Sequence, residues 1–300
     1  MKKYIIYYGS GGLSHMMGGL FLAIYLAKST ERILIINLQN YSLFPFKLSK
    51  YFNIYDKIII QEDWKDIPSH YNFFGNYIEE LKNLSNFGYK NSGDYYFKDY
   101  ILNTWIGLKK NLTQNIIPFQ GYFPNWDYSS ISLHLSIRNI VKNKCPPIKK
   151  PYISVHFRNT DLKFLTIGEV SKRTQVLSKK FNIDTLYLAT DDYTAYNKLR
   201  QILSSNIKII QYIKPENYHG KSLHSQKKDK HELTMNSFCD MYMILKSQYF
   251  IPCAASGFSK WLVCMIKNQK NIFNIKSNTQ ICEREDRIFF QNYVSGTFII

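Results

Sequence analysis

The sequence predicts an α/β protein of two Rossmann-like, doubly wound domains facing a cleft, and three observations carry that expectation. Short apolar runs such as Tyr4–Tyr8, Ile33–Ile36, Tyr152–Phe157 and Thr185–Ala189 are strand-like without an exposed polar face, as strands of a parallel sheet covered by helices are. The β-α alternation stops and restarts across Lys142–Pro151, a Pro- and Lys-rich stretch that reads as a linker. The polar motifs follow the strands, and open α/β sheets bind ligands at the carboxyl ends of their strands.

Taken in order, the N-terminal domain is assigned residues 1–145. Tyr4–Tyr8 is its first strand, Gly9–Gly12 a loop, Leu20–Ala27 a helix and Ile33–Ile36 the second strand. A third apolar run covers Lys57–Ile60, and Asp63–Asn125 is polar, aromatic and weakly periodic, without a clear element pattern. The C-terminal domain is assigned residues 146–300. Its strands are Tyr152–Phe157, Thr185–Ala189, Ile207–Ile213 and Tyr249–Pro252. Its helices are Ser171–Phe181, Tyr193–Ser204, Phe238–Lys246 and Phe258–Lys267.

Composition bounds the function. The chain has 300 residues, 45% of them hydrophobic, enough for two globular domains. Its formal net charge of +17 gives a long-range field that attracts phosphorylated molecules, polyanions or an anionic membrane surface. The lysines are scattered, as on a solvated surface. The densest cluster, Lys221–Lys230, reads as a solvated loop. The five cysteines, Cys145, Cys239, Cys253, Cys264 and Cys282, form no CxxC pair and no zinc-finger spacing with histidine. That dispersed, odd set implies free thiols and a reducing compartment. The apolar run after Met1-Lys2-Lys3 is too short for a signal peptide, and no stretch is long enough to span a bilayer. A cytoplasmic location, with peripheral contact to an anionic membrane as a further option, is the expectation.

Four segments can carry chemistry. Gly9–Gly19 follows a strand and opens a helix, and its glycines would let the backbone approach a ligand. It lacks the Gly-Lys-Ser/Thr of a phosphate-binding P-loop, has Ser14 where a dinucleotide fingerprint needs Gly, and serves equally as a plain β-α turn. His156-Phe157-Arg158-Asn159-Thr160-Asp161 ends a strand, with His156 and Arg158 on one face. Arg158 there can clasp a diphosphate, or can pair with Asp161. Asp191 and Asp192 end the next strand, where they can meet a ribose, base or metal, and Thr190 or Asp191 can cap the following helix. Finally, Asp240 lies on an apolar helix that leads to Ala255-Ser256-Gly257-Phe258-Ser259-Lys260-Trp261. That small-residue loop can hold a phosphate through backbone N–H groups, Ser256 and Ser259, or Ser256 can simply cap the helix.

In order and context, these segments resemble the motifs of the α-1,2-, α-1,6- and protein-O-fucosyltransferase superfamily. His156–Asp161 resembles its HxR stretch, and Leu186–Asp192 the strand before the paired aspartates of the α-1,6 enzymes and their nodulation relatives. Phe238–Trp261 is similar to its third motif, with a Phe-Ser-x-Trp ending like that of bacterial α-1,2-fucosyltransferases. Gly11-Gly12-Leu13 resembles the opening glycine loop, and Phe119–Trp126 the Gly-Tyr-Phe-Gln-Ser segment of the α-1,2 group. The likeness runs from Gly9 to about Leu262 and is weak between Asp63 and Pro118. Two positions depart from it: Asn159 stands where many relatives have a second Arg, and Ser14-His15 replaces an Asn.

The resemblance implies a GT-B-like fold with an acceptor-side N-terminal domain and a GDP-sugar-binding C-terminal one. It implies an inverting, metal-independent transfer of fucose from GDP-fucose to a glycan hydroxyl, with no cofactor. Arg158 would bind the β-phosphate and assist its departure. His156 and Asp240 would place the guanosine, and Asp191 and Asp192 would lie near the nucleotide. Ser256, Phe258 and Ser259 would lie at the phosphates, with Gly11 and Gly12 at the donor. Asp161, Glu169 and His15 are the candidates for the general base, and Asp161 also suits orienting Arg158. A GT-B transferase using another nucleotide sugar is the alternative enzyme. A basic, aromatic-rich nucleic-acid or glycan-binding module is the alternative class, although the aromatics are not regularly interleaved with Lys or Arg.

Overall fold

A computed structural model describes residues 3–8, 13–29, 31–38, 47–54, 60–61, 116–119, 135–149, 151–159, 165–212, 229–253 and 256–265. The chain divides into two compact units, Met1–Ser136 and Ile137–Ile300. The division falls ahead of the Pro- and Lys-rich segment, which belongs to the second unit together with Cys145.

In the first unit, β1 (Tyr4–Tyr8), β2 (Ile33–Asn37), β4 (Ile60–Gln61) and β5 (Ile116–Phe119) form a parallel sheet in the order β4-β2-β1-β5. A short pair joins β3 (Phe52–Ile54) to β6 (Leu135–Ile137). Helix α1 spans Leu13–Ser29 and starts about two turns earlier than the sequence predicts. The reason is a continuous apolar stripe: Leu13, Met16, Met17, Leu20, Ala23, Ile24 and Ala27 are all buried and recur at helical spacing. The Tyr7 hydroxyl donates to the Met16 carbonyl and ties β1 to that helix.

In the second unit, α2 (Asn139–Lys142) precedes β7 (Ile153–Phe157), α3 (Ile167–Phe181), β8 (Thr185–Thr190), α4 (Ala195–Ile202) and β9 (Lys208–Ile210). Then come α5 (Lys230–Lys246), β10 (Tyr249–Ile251) and α6 (Gly257–Met265). The four strands form a parallel sheet in the order β10-β7-β8-β9. Ile153, Val155 and Phe157 of β7 pack with Leu186 and Leu188 of β8 against Val170 and Leu177 of α3 and Leu199 of α4. Full burial of each such side chain stabilises the fold by about 1.5–3 kcal/mol. The alternate residues of β7 face the other layer. Tyr152 donates to the Met243 carbonyl of α5, the Ser154 hydroxyl lies 2.7 Å from that of Ser247, and His156 reaches α6.

Helix boundaries differ from the sequence prediction where capping side chains decide them. Helix α3 begins at Ile167, not Ser171, because Thr166 and Glu169 form a reciprocal capping box. It ends at Asn182, which adopts the left-handed conformation (φ 53°) common at such ends. Helix α5 begins at Lys230, well before Phe238, because the Asp229 carboxylate accepts the His231 N–H at 2.8 Å. Helix α4 starts only at Ala195, because Asp192 holds Thr194 in a turn ahead of it. The Lys221–Lys228 part of the basic cluster and most of Asp63–Asn125 lie outside the described residues.

Candidate active site

The second sheet reverses its winding at β7. From β7 the chain steps to β8 and β9 on one side, then returns to place β10 on the other. A crevice forms at such a switch point, beyond the carboxyl ends of the two strands that flank it. There these are β7, which ends in His156-Phe157-Arg158, and β10, which leads to Ser256 and α6.

His156 spans that crevice. Its Nδ1 lies 2.7 Å from the Ser259 hydroxyl, and its ring meets Phe258 edge-on at 5.0 Å. The Ser259 oxygen also accepts the Cys253 N–H at 3.0 Å, so one buried hydroxyl joins the end of β10, the first turn of α6 and the end of β7. Burial, with a smaller contribution from Arg158, pushes the His156 imidazole down to about 3. The ring is therefore neutral at physiological pH and suits hydrogen bonding, not charge pairing.

Arg158 stands at the rim, about one-fifth exposed at 22%, with its Nε 3.8 Å from Asp191 Oδ2. The other Asp191 oxygen accepts the Asn159 N–H at 3.0 Å. Asp192 accepts the Asn159 side-chain amide at 2.7 Å, and its second oxygen takes the Thr194 N–H and hydroxyl. Burial alone would raise the Asp192 carboxyl. The hydrogen bonds from Asn159 and Thr194, with the charge of Lys198, outweigh it and hold the group below its ordinary value. The pairing follows from strand register. Phe157 lies opposite Thr190 in the parallel β7–β8 ladder, so the next residues of each strand, Arg158 with Asp191 and Asn159 with Asp192, meet just beyond it. The Thr190 hydroxyl closes the same junction by donating to the Phe157 carbonyl at 2.6 Å.

Ser256 is fully buried immediately before α6; its N–H donates to the Cys253 carbonyl, while its hydroxyl has no partner among the described residues. It therefore does not cap α6. That hydroxyl can take a water or a bound group, and the positive end of a helix dipole beside it favours an anion.

The structure thus gathers His156, Arg158, Asp191, Asp192, Ser256, Phe258 and Ser259 at the carboxyl end of one sheet. Asp240 sits on α5 and accepts the Tyr187 hydroxyl at 2.6 Å, alongside the middle of β8. Burial raises its carboxyl to about 7 against the opposing effect of that hydrogen bond. Glu169 is engaged in the α3 capping box, which explains its carboxylate without a catalytic task. Gly11, Gly12 and Asp161 lie outside the described residues, as does the side chain of His15, whose backbone is in the first turn of α1. Asn159 and Thr194 are the site-ordering residues that sequence reasoning missed as such; the position of Asn159 directly after Arg158 was the available signal.

No family model matches the chain, and no curated protein matches its sequence. Solved structures do match its fold. An α-1,6-fucosyltransferase, NodZ, soaked with GDP-fucose aligns with 13% identity and a TM-score of 0.54, over 89% of this chain and 93% of that one. POFUT1 in complex with GDP aligns with 14% identity and a TM-score of 0.54, over 88% and 95%. A mutant of Arabidopsis thaliana FUT1 in complex with GDP aligns with 10% identity and a TM-score of 0.55, over 89% and 69%. The chain shares the fold of these fucosyltransferase structures.

Proposed function

We propose that the protein is a GT-B-type glycosyltransferase of the fucosyltransferase superfamily that transfers fucose from GDP-fucose to a glycan hydroxyl. The observation that carries this reading is the juxtaposition of Arg158 and the His156–Ser259 pair at the β7/β10 switch point, beside an unpartnered Ser256 hydroxyl at a helix start. Three structures of the same fold hold GDP or GDP-fucose, which supports a guanine nucleotide as the occupant.

In the reaction, an acceptor hydroxyl attacks the anomeric carbon from the face opposite the leaving GDP and inverts it. Charge builds on the diphosphate as the glycosidic bond breaks. Arg158 and the N-terminus of α6 neutralise that charge, so the reading requires no metal. Asp191 takes part through Arg158, by holding its Nε. Neutral His156 offers a hydrogen bond to the nucleoside and no competing positive charge. The general base is assigned to Asp161 or His15, with the acceptor bound by the N-terminal region.

Thermal-shift titration with GDP, UDP, CMP and a short oligonucleotide tests the donor class. Stabilisation by GDP alone is expected. A UDP or CMP response identifies another nucleotide-sugar donor, and an oligonucleotide response overturns the enzyme reading in favour of a nucleic-acid-binding module. Mass spectrometry of glycans incubated with GDP-fucose then tests transfer itself.

A further inference from the structure

Away from the strand ends, a cluster of ionisable side chains lies between α2 and α5. Cys145 follows α2 and is half-buried, and Cys239 is buried on α5. Both sulfurs address one acceptor: Cys145 Sγ lies 3.2 Å and Cys239 Sγ 3.8 Å from the Val141 carbonyl oxygen. Cys145 Sγ is also 3.9 Å from the Cys239 carbonyl oxygen. Tyr212, Lys144, Asp240 and Tyr187 complete the surroundings. Cys253, by contrast, packs inside the apolar core with Ile251 and Val155.

The geometry points to a reversible Cys145–Cys239 disulfide, a redox modification site that staples the chain after α2 to α5. It rests on the two thiols alone and is independent of the donor. The chemistry follows from what each sulfur can reach. The neighbouring Cys145 and Tyr212 favour the Cys239 thiolate, while Cys145 holds its proton more tightly than an ordinary thiol and is the sulfur with solvent access. A peroxide therefore meets Cys145 first. Once its proton has passed to water, the Cys145 thiolate attacks the O–O bond, yielding a sulfenic acid and a hydroxide that recovers that proton as water. The Cys239 thiolate then attacks that sulfenic sulfur, and the S–S bond forms as the sulfenic hydroxyl leaves as hydroxide. The peroxide is the two-electron oxidant, and an added dithiol reverses the step.

The test uses the full-length protein, reduced, desalted and treated with hydrogen peroxide. Remaining thiols are alkylated and the digest is analysed without reduction. A Cys145–Cys239 cross-linked peptide that disappears on dithiothreitol treatment is expected, and Cys253→Ala should still form it. Cys145→Ser, checked by circular dichroism to be folded, should yield no cross-link to Cys239. The proposal is overturned if both thiols stay alkylatable after oxidation, if Cys145 stops at an uncoupled sulfinic acid, or if it links to another cysteine. GDP binding by the reduced protein can fail without touching any of these outcomes, so the two readings fail separately.

Discussion

At the scale of single residues, Arg158 is the side chain on which the proposed chemistry depends. Arg158→Ala should lower kcat by about 10²–10³-fold, the cost of removing a preorganised charge partner, with the fold intact by circular dichroism. Arg158→Lys should recover only part of this, because an ammonium lacks the planar fork that grips a diphosphate. Near-normal transfer by purified Arg158→Ala would refute the phosphate role. Asp240 carries a distinct signature. Its carboxyl is raised by burial to about 7, so the folded state binds a proton that the unfolded chain releases near the ordinary carboxylate range. Its favourable contribution is complete below that range and is lost as pH rises through about 7. Melting temperatures measured from pH 5 to 8 should therefore fall less steeply in Asp240→Asn than in the wild type. His156 should show the neutral imidazole pattern by NMR throughout that same window, since burial holds it near 3. Arg158, His156 and the aspartates were legible in the sequence as polar residues ending apolar strands. Their partners were not. Beside Asp161, which lies outside the described residues, Arg158 has a partner that its own segment does not reveal: it pairs with Asp191, because the parallel register places the ends of β7 and β8 side by side.

At the scale of elements, strands were easier to read than helix starts. Tyr4–Tyr8, Ile33–Ile36 and Thr185–Ala189 follow directly from apolar runs, because a buried parallel strand announces itself by composition. Helices α3 and α5 begin at capping residues that a search for apolar periodicity passes over. Those caps are measurable. Thr166→Ala removes the α3 capping box and should cost about 1 kcal/mol in urea denaturation. Ser259→Ala should cost about 1–3 kcal/mol, since it strips a hydrogen-bond partner from buried groups of both β7 and β10. It should also weaken the GDP thermal shift, because Ser259 fixes the His156 ring. A loss of stability with an unchanged GDP response would confine Ser259 to a structural task.

At the scale of the whole molecule, the net charge of +17 makes an electrostatic prediction. Sedimentation with anionic phospholipid vesicles should retain the protein at low ionic strength and release it as salt approaches the physiological range, while neutral vesicles should retain little. No described helix is long and apolar enough to cross a bilayer; release by salt is the outcome that assigns such retention to surface charge. The sequence by itself determined the α/β class, the restart of the β-α pattern and the strand-end position of His156 and Arg158. These follow from local composition, which needs no partner to be read. Tertiary structure alone decided which residues meet. The return of β10 to the far side of β7 brings Ser259 to His156, and the β7–β8 register brings Asp191 to Arg158. The packing of α2 on α5 brings Cys145 to Cys239. Each of these contacts joins segments far apart in the chain, and only strand order, register and helix packing bring them together.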